Sequence, residues 1–245
     1  MTDEIHALPP RLADCLKFCY LLRERGEPMT AQAVRTMLEA REPTGRLSGS
    51  VVTHLFERLH ELGYVSHTRY HGVELTPAGE AAAAELIRHH RLLELFLVRV
   101  LGIPLDQADA EAERLEHALS KIVEERIDAL LGYPSEDPHG DPIPDALGNV
   151  HIAPAILLTE VEVGQLVIIQ RLTTADADFI RYVESLGLVP GAVVRLEART
   201  SYGDVFTLRI GDTTTPVGAA LASRLLVRVL QENQKFSSKK NRFSS

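Results

Sequence analysis

Along the first sixty residues the apolar positions recur at helical spacing. In RLADCLKFCYLLRER (11–25), Leu12, Cys15, Leu16, Cys19 and Leu22 return every three or four residues and Gly26 closes the run, which predicts a helix. MTAQAVRTML offers Thr30 as an N-cap and Ala33, Val34, Met37 and Leu38 as an apolar face, a second helix. EPTGRLSGS, rich in Gly, Ser and Pro, breaks it. A third helix is expected in SGSVVTHLFERLHELGYV, where Val51, Val52, Leu55, Leu59 and Leu62 share a face and Gly63 stops it. In YVSHTRYHGVELT the period shortens to two around a turn at His71-Gly72, the pattern of a short β-hairpin.

Helical spacing then returns at greater length. AGEAAAAELIRHHRLLELFLVRVLG predicts a helix over 78–101 with Leu86, Leu93, Leu97 and Leu101 in one stripe, and His90 and Glu94 one turn apart beside it. After LGIPLD, one helix is expected over 106–131. Ala112, Leu115, Leu119, Ile122, Val123 and Leu130 cover one face of it, Glu116 lies inside that face, and Glu113 and His117 flank its edge. YPSEDPHGDPIPD is an acidic, Pro-rich linker. From residue 155 onward LTEVEVGQLVIIQRL, GAVVRLEART, DVFTLRI and RLLVRVL alternate as strands, interrupted by one helix, DADFIRYVESLGL, which together predict a small β-barrel. The tail QENQKFSSKKNRFSS has too little apolar content to pack and is expected to be disordered.

Three helices followed by a hairpin is the order of a winged helix-turn-helix, whose third helix enters the DNA major groove. Ser48, Ser50, Thr53 and His54 would then face the bases, and Arg46, Arg58 and Arg69 could pair with phosphates. The fold class expected is mainly α with β. A winged helix-turn-helix DNA-binding domain is expected over 1–76, a second helical domain over 77–148, a small β-barrel over 149–232, and a disordered tail over 233–245.

The net charge of −8 argues at first against nucleic acid, but it is unevenly spread. Residues 1–75 hold nine basic and ten acidic side chains with five histidines, 76–150 hold six basic against fifteen acidic, and the remainder is slightly basic. The acidic excess belongs to the middle third, where carboxylates repel one another unless solvated or neutralised by cations. No run of apolar residues is long enough to cross a membrane, and MTDEIHALPP has no signal-peptide character, so a cytoplasmic protein is expected. Cys15 and Cys19, one helical turn apart, suit neither a disulfide framework nor a thiolate zinc site and are expected to be buried small hydrophobes.

Glu116 sets the chemical question. A carboxylate centred in an apolar stripe must be paired or bound, since burying it bare costs several kcal/mol. One divalent cation collecting Glu116, Glu113, His117, His90 and Glu94 would meet that cost, and so would a pairing with Arg91. Oxygen and imidazole donors without thiolate suit Mn2+, Fe2+ or Zn2+. A metallohydrolase is disfavoured, because no His-Glu-x-x-His arrangement is present. A metal-independent winged-helix repressor would leave these carboxylates as a solvated face.

The segments ELGYV, LTPAGE, RHHRLLELFL, GIPLDQADAEAERLEHALS and GDPIP resemble the diphtheria toxin repressor family of metal-dependent transcriptional repressors, which includes the manganese transport regulators. LGLVPGAVV is similar to the Gly-Pro-Gly turn of the SH3-like (FeoA-type) domain in longer members, and the resemblance covers nearly all of residues 10–232. It implies metal ligands at Asp14, His90, Glu94, Glu113, Glu116 and His117, with Asp109 matching a further family histidine. Where manganese-type members carry a ligating Glu three residues after the first ligand, this chain has Lys17. Asp14 and Glu113 stand where iron-type members have Met and Cys, which implies Mn2+ as the corepressor, with Fe2+ as the alternative. The resemblance further implies a homodimer through the apolar face of 106–131, bound to palindromic double-stranded operator DNA near metal-transport genes.

Overall fold

The computed structural model describes residues 8–41, 47–68, 72–174, 176–200, 202 and 204–230. Two compact units emerge, one of residues 1–137 with 142–151, the other of 138–141 with 152–245. Arg46, Arg69, the turn residue His71 and the tail 233–245 lie outside the described residues.

The first unit begins with α1 (Pro10–Glu24), α2 (Ala31–Arg41) and α3 (Gly49–Glu61), then β1 (Val65–Thr68) and β2 (Gly72–Leu75), as the sequence pattern leads one to expect. The two strands pair antiparallel, Val65 with Leu75 and His67 with Val73. α1 is central. Pro10 opens it, Gly26 follows it at φ 68, and its side chains are buried on most of its circumference, Cys15 and Cys19 among them as free thiols. It packs against α2, α3 and α4 (Pro77–Arg99).

LTPAGE is the joint between the hairpin and α4. Thr76 is the N-cap: its hydroxyl accepts from Gly79 N and donates to Gly63 O at 2.6 Å, while its own N–H reaches Tyr64 O at 3.0 Å. A Cβ on Gly79 would meet Tyr64 O at 1.8 Å, so only glycine lets the two segments lie this close. We expect Gly79→Ala to lower stability by about 2–3 kcal/mol through overpacking, read as an earlier midpoint in urea. An unchanged midpoint would mean that this joint carries no stability.

α4 is 23 residues long and serves two cores. Ala82, Ala83, Ala84, Leu86 and Ile87 join the core of α1–α3, whereas Leu92, Leu93, Leu95 and Leu97 join a second core with Ala112, Leu119, Ile127 and Ile143.

The single helix expected over 106–131 is two helices. α5 (Leu105–Leu115) ends in a 3-10 turn, Glu116–Ala118, Leu119 turns extended at ψ 112, and α6 (Lys121–Leu131) restarts. Ser120 causes the restart, its hydroxyl accepting from Val123 N as an N-cap, a bond an uninterrupted helix would not use. The face thought continuous is therefore split. Ala112 and Leu119 are buried, Leu115, Ile122, Val123 and Leu130 are exposed, and the turn points Glu116 inward at 1% exposure.

The second unit is a six-stranded antiparallel sheet, ordered β3-β8-β4-β5-β6-β7, where β3 is Ile156–Leu157, β4 Leu166–Leu172, β5 Val193–Arg199, β6 Val205–Ile210, β7 Thr213–Gly218 and β8 Leu225–Val229. α7 (Ala177–Ser185) follows β4 and the four-residue α8 (Ala219–Ala222) follows β7. β4 buries Val167, Ile169 and Leu172, and a bulge between Ile169 and Arg171 absorbs the step of three. β7 and β3 escaped the sequence reading. Pro216 argues against a strand, yet β7 is an edge, where proline is tolerated.

Candidate metal centre

Four elements of the first unit deliver the candidate side chains, those on helices one turn apart and those on the 3-10 turn adjacent in sequence. α1 supplies Asp14 and Lys17, α4 His90 and Glu94, α5 Asp109 and Glu113, and the 3-10 turn Glu116 and His117. All seven expected metal residues converge, but as two neighbouring groups rather than around a single point. Asp14, Glu113, Glu116 and His117 form one, and His90, Glu94 and Asp109 the other, with ligand atoms in each group within 4.8 Å of one another. In the first, His117 Nε2 lies 3.0 Å from Asp14 Oδ1 and 3.7 Å from Glu116 Oε1. In the second, His90 Nε2 lies 3.3 Å from Asp109 Oδ1 and 3.7 Å from Glu94 Oε2. The other ring nitrogen of His90 joins the groups, 2.5 Å from Glu116 Oε2 and 3.7 Å from Glu113 Oε2. Carboxylate oxygens and imidazoles without thiolate fit a divalent first-row ion.

Two basic side chains hold this anionic nest. Lys17, 2% exposed, donates to Glu113 Oε2 at 2.9 Å and also to Glu116 Oε1. Arg41, the last residue of α2, spans Glu113 Oε2 at 2.6 Å and Asp109 Oδ1 at 3.0 Å. Burial would raise the Glu116 carboxyl, but His90 and Lys17 overcome it and hold it at about 2. Burial likewise raises Asp109, and His90 and Arg41 drive it far below the usual carboxylate range. The reverse holds for His90: burial would lower it, and the carboxylates of Glu94, Asp109 and Glu116 push it up to about 10. Contact with the Asp14 carboxylate raises His117.

Neither Lys17 nor Arg41 was among the residues expected to act here. Lys17 registered only as a departure from a ligand pattern. Arg41 gave no signal, since its partners lie 68 and 72 residues away.

A third convergence, Glu85, His89 and Glu124, is a brace between α4 and α6. Glu124 accepts from Arg88 Nε at 2.7 Å and Lys121 Nζ at 2.9 Å, with His89 Nε2 at 3.1 Å. Arg91 pairs with Glu24 at 3.0 Å and donates to Pro142 O at 2.6 Å, so the alternative pairing of Glu116 with Arg91 is not the one adopted.

On α3, Val52, Phe56 and Leu59 face the core while Ser48, Ser50, Thr53, His54 and Arg58 are exposed. Ser48 and Ser50 share a hydroxyl hydrogen bond of 2.7 Å, Thr53 donates to Gly49 O, His54 is 81% exposed, and Arg58 pairs with Glu61. The turn into this helix is fixed by Leu47 N donating to Glu39 Oε1. In the second unit Asp176 caps α7 through Phe179 N, and Asp178 pairs with Arg181.

Family models match both units. "Iron dependent repressor, metal binding and dimerisation domain" covers residues 76–145, and "FeoA domain" covers 156–229. The iron-dependent repressor IdeR of Mycobacterium leprae is 32% identical over 194 residues, 74% of this chain and 81% of that protein. Among solved structures, a manganese-dependent transcriptional repressor in complex with manganese superposes with a TM-score of 0.75 at 32% identity, over 88% of this chain and all of that one. The manganese regulator SloR gives 0.67 at 27% identity, over 91% of this chain and all of that one.

Proposed function

The chain belongs to the iron-dependent repressor family of metal-dependent transcriptional regulators, and from that premise we propose that it is a Mn2+-responsive regulator that binds operator DNA as a homodimer and controls metal-transport genes. The observation that carries this is the meeting of Asp14, on the first helix of the helix-turn-helix, with Glu113, Glu116 and His117 from the end of α5 and its turn. When bound, a divalent ion supplies a charge that these four residues can share. Asp14 then ties α1 to α5, and α1, packed on α3, fixes where Ser48, Ser50, Thr53, His54 and Arg58 point. In a dimer that orientation decides whether two recognition helices reach half-sites about one helical turn, roughly 34 Å, apart. Metal thereby acts as an allosteric ligand of the DNA-competent arrangement. Exposed Leu115, Ile122, Val123 and Leu130 on α5 and α6 support a dimer contact there. Arg46 and Arg69 are assigned to phosphates on sequence grounds alone.

The oxygen donors Asp14 and Glu113 favour Mn2+. Fe2+ is the second reading, favoured by the iron-dependent repressors among the relatives. His90 has to give up a proton to ligate, so protons compete with the ion and its affinity falls with falling pH. No helix among the described residues is long and apolar enough to cross a membrane. The relatives are transcriptional regulators rather than enzymes.

The test is anisotropy of a fluorescent duplex from the upstream region of a metal transporter gene in the source genome, first with chelator, then with Mn2+, Fe2+ or Zn2+. Tight binding with Mn2+ alone, or with Mn2+ at the lowest concentration, is expected. Binding indifferent to chelator would overturn metal control and leave only the helix-turn-helix.

A further inference from the structure

A lysine in the middle of a cation site needs a reason. Lys17 stands one turn after Asp14 on α1, and its Nζ rests on Glu113 and Glu116, two of the four residues in the first donor group. At 2% exposure the ammonium has left water, and among the described residues the carboxylates of Glu116, Glu113 and Asp14 compensate it. We propose that Lys17 is a tethered counter-cation that takes the place of a second metal ion, so that the centre holds one ion tightly, in the Asp14–Glu113–Glu116–His117 group. The inference rests on the metal-dependent reading above.

Charge balance supports it. Asp14, Glu113 and Glu116 carry three negative charges; one divalent ion with Lys17 already carries three positive ones, and Arg41, shared between Glu113 and Asp109, adds to them. The neighbouring group offers two carboxylates, Glu94 and Asp109, beside His90, and Asp109 is already paired with Arg41. An ion there would add two positive charges beside Lys17, Arg41 and an occupied first group. At the few-ångström separations involved, with an effective dielectric of about 20, that repulsion weakens the second ion by at least about 100-fold. Geometry agrees with the count, since Glu113 and Glu116 belong to the first group while His90 touches both. Lys17 also keeps both carboxylates gathered before the ion arrives, which lowers the repulsion that assembling them bare would involve.

The experiment is a Mn2+ titration of the full chain by calorimetry, with electron paramagnetic resonance of the bound ion, on wild type, Lys17→Met and Lys17→Glu. Urea unfolding of each establishes that it is folded. Wild type is expected to take one tight Mn2+ per chain with an isolated-ion spectrum. Lys17→Glu is expected to take two, the second bound at least about 100-fold more tightly than in wild type, with the exchange-coupled spectrum of an adjacent pair. Lys17→Met, which keeps the unbranched stem as far as Cε but is neutral, should bind the second ion more tightly than wild type does. Two equally tight ions in wild type, or one ion in a folded Lys17→Glu, would overturn the counter-cation role while leaving metal control intact. No Mn2+ binding by wild type would instead remove the metal reading itself. Should Lys17→Glu prove unfolded, Lys17→Met decides: an unchanged second affinity refutes the proposal.

Discussion

Glu116→Gln should leave the protein folded and remove its response to Mn2+. Among the candidate ligands Glu116 is the most deeply buried, and its two oxygens face different partners, Lys17 on one side and His90 on the other. Gln keeps the shape and one acceptor oxygen, but it withdraws a full negative charge from a group of three and turns an NH2 toward either a lysine or an imidazole. Changing a residue that merely orients a ligand weakens a metal about 10–100-fold, so loss of a charged ligand should weaken Mn2+ by at least about 100-fold. Two readouts should move together. Operator affinity at micromolar Mn2+ should fall to its level in chelator. The rise in melting temperature expected of wild type with Mn2+, equivalent to about 2.7 kcal/mol at 100 times the dissociation constant, should vanish. Glu111→Gln is the control, because Glu111 pairs with Arg114 along the outer side of α5 and should change neither. A Mn2+-responsive Glu116→Gln would sink the assignment of the centre.

How much of this was legible in the sequence depends on the range of each interaction. Helices α1 to α4 and the hairpin follow from periodicity and from Gly26 and Gly63, which act locally. Glu116 announced itself because a carboxylate among apolar positions conflicts with its surroundings at short range. The break at Ser120 is also local and could have been read, since a serine three residues before Val123 is a cap signal. It was overridden by an apolar stripe that looked continuous. Asp14 facing His117 is a different case. Nothing in the spacing of either residue implies the other, and only the family resemblance joined them. Lys17 and Arg41 had no such help: their roles exist only once α1, α2 and α5 are packed. The separation of the candidate ligands into two groups likewise depends on side-chain directions that helical spacing does not determine. In the second unit, Pro216 hid β7 because its position at the sheet edge is a property of topology rather than of the local chain.

The largest effect on stability is expected away from the metal centre, at Glu124→Ala. Glu124 is fully buried between α4 and α6, where it answers Arg88, Lys121 and His89 together. Arg88 reaches on to Asp128 at 2.6 Å and to Pro144 O at 2.8 Å, so one guanidinium pins α6 and the segment after it to α4. Truncating Glu124 leaves Arg88 buried with half its compensation. Breaking a buried pair from one side costs about 3–5 kcal/mol, which for a unit of this size lowers the melting temperature by roughly 10 °C. Acid supplies an independent check. Burial would raise the Glu124 carboxyl, yet the bonds from His89, Lys121 and Arg88 hold it at about 2, below its usual 4.5. A folded-state pKa depressed in this way gives stability that is complete above about pH 4.5 and is lost as pH falls toward 2. The stability gap between wild type and Glu124→Ala should therefore close over that window and stay constant above it. Arg88→Met combined with Glu124→Leu should recover most of the loss at neutral pH, because removing both charges leaves neither stranded. A single variant as stable as wild type, or a gap indifferent to acid, would mean that α4 and α6 are held by their apolar contacts alone.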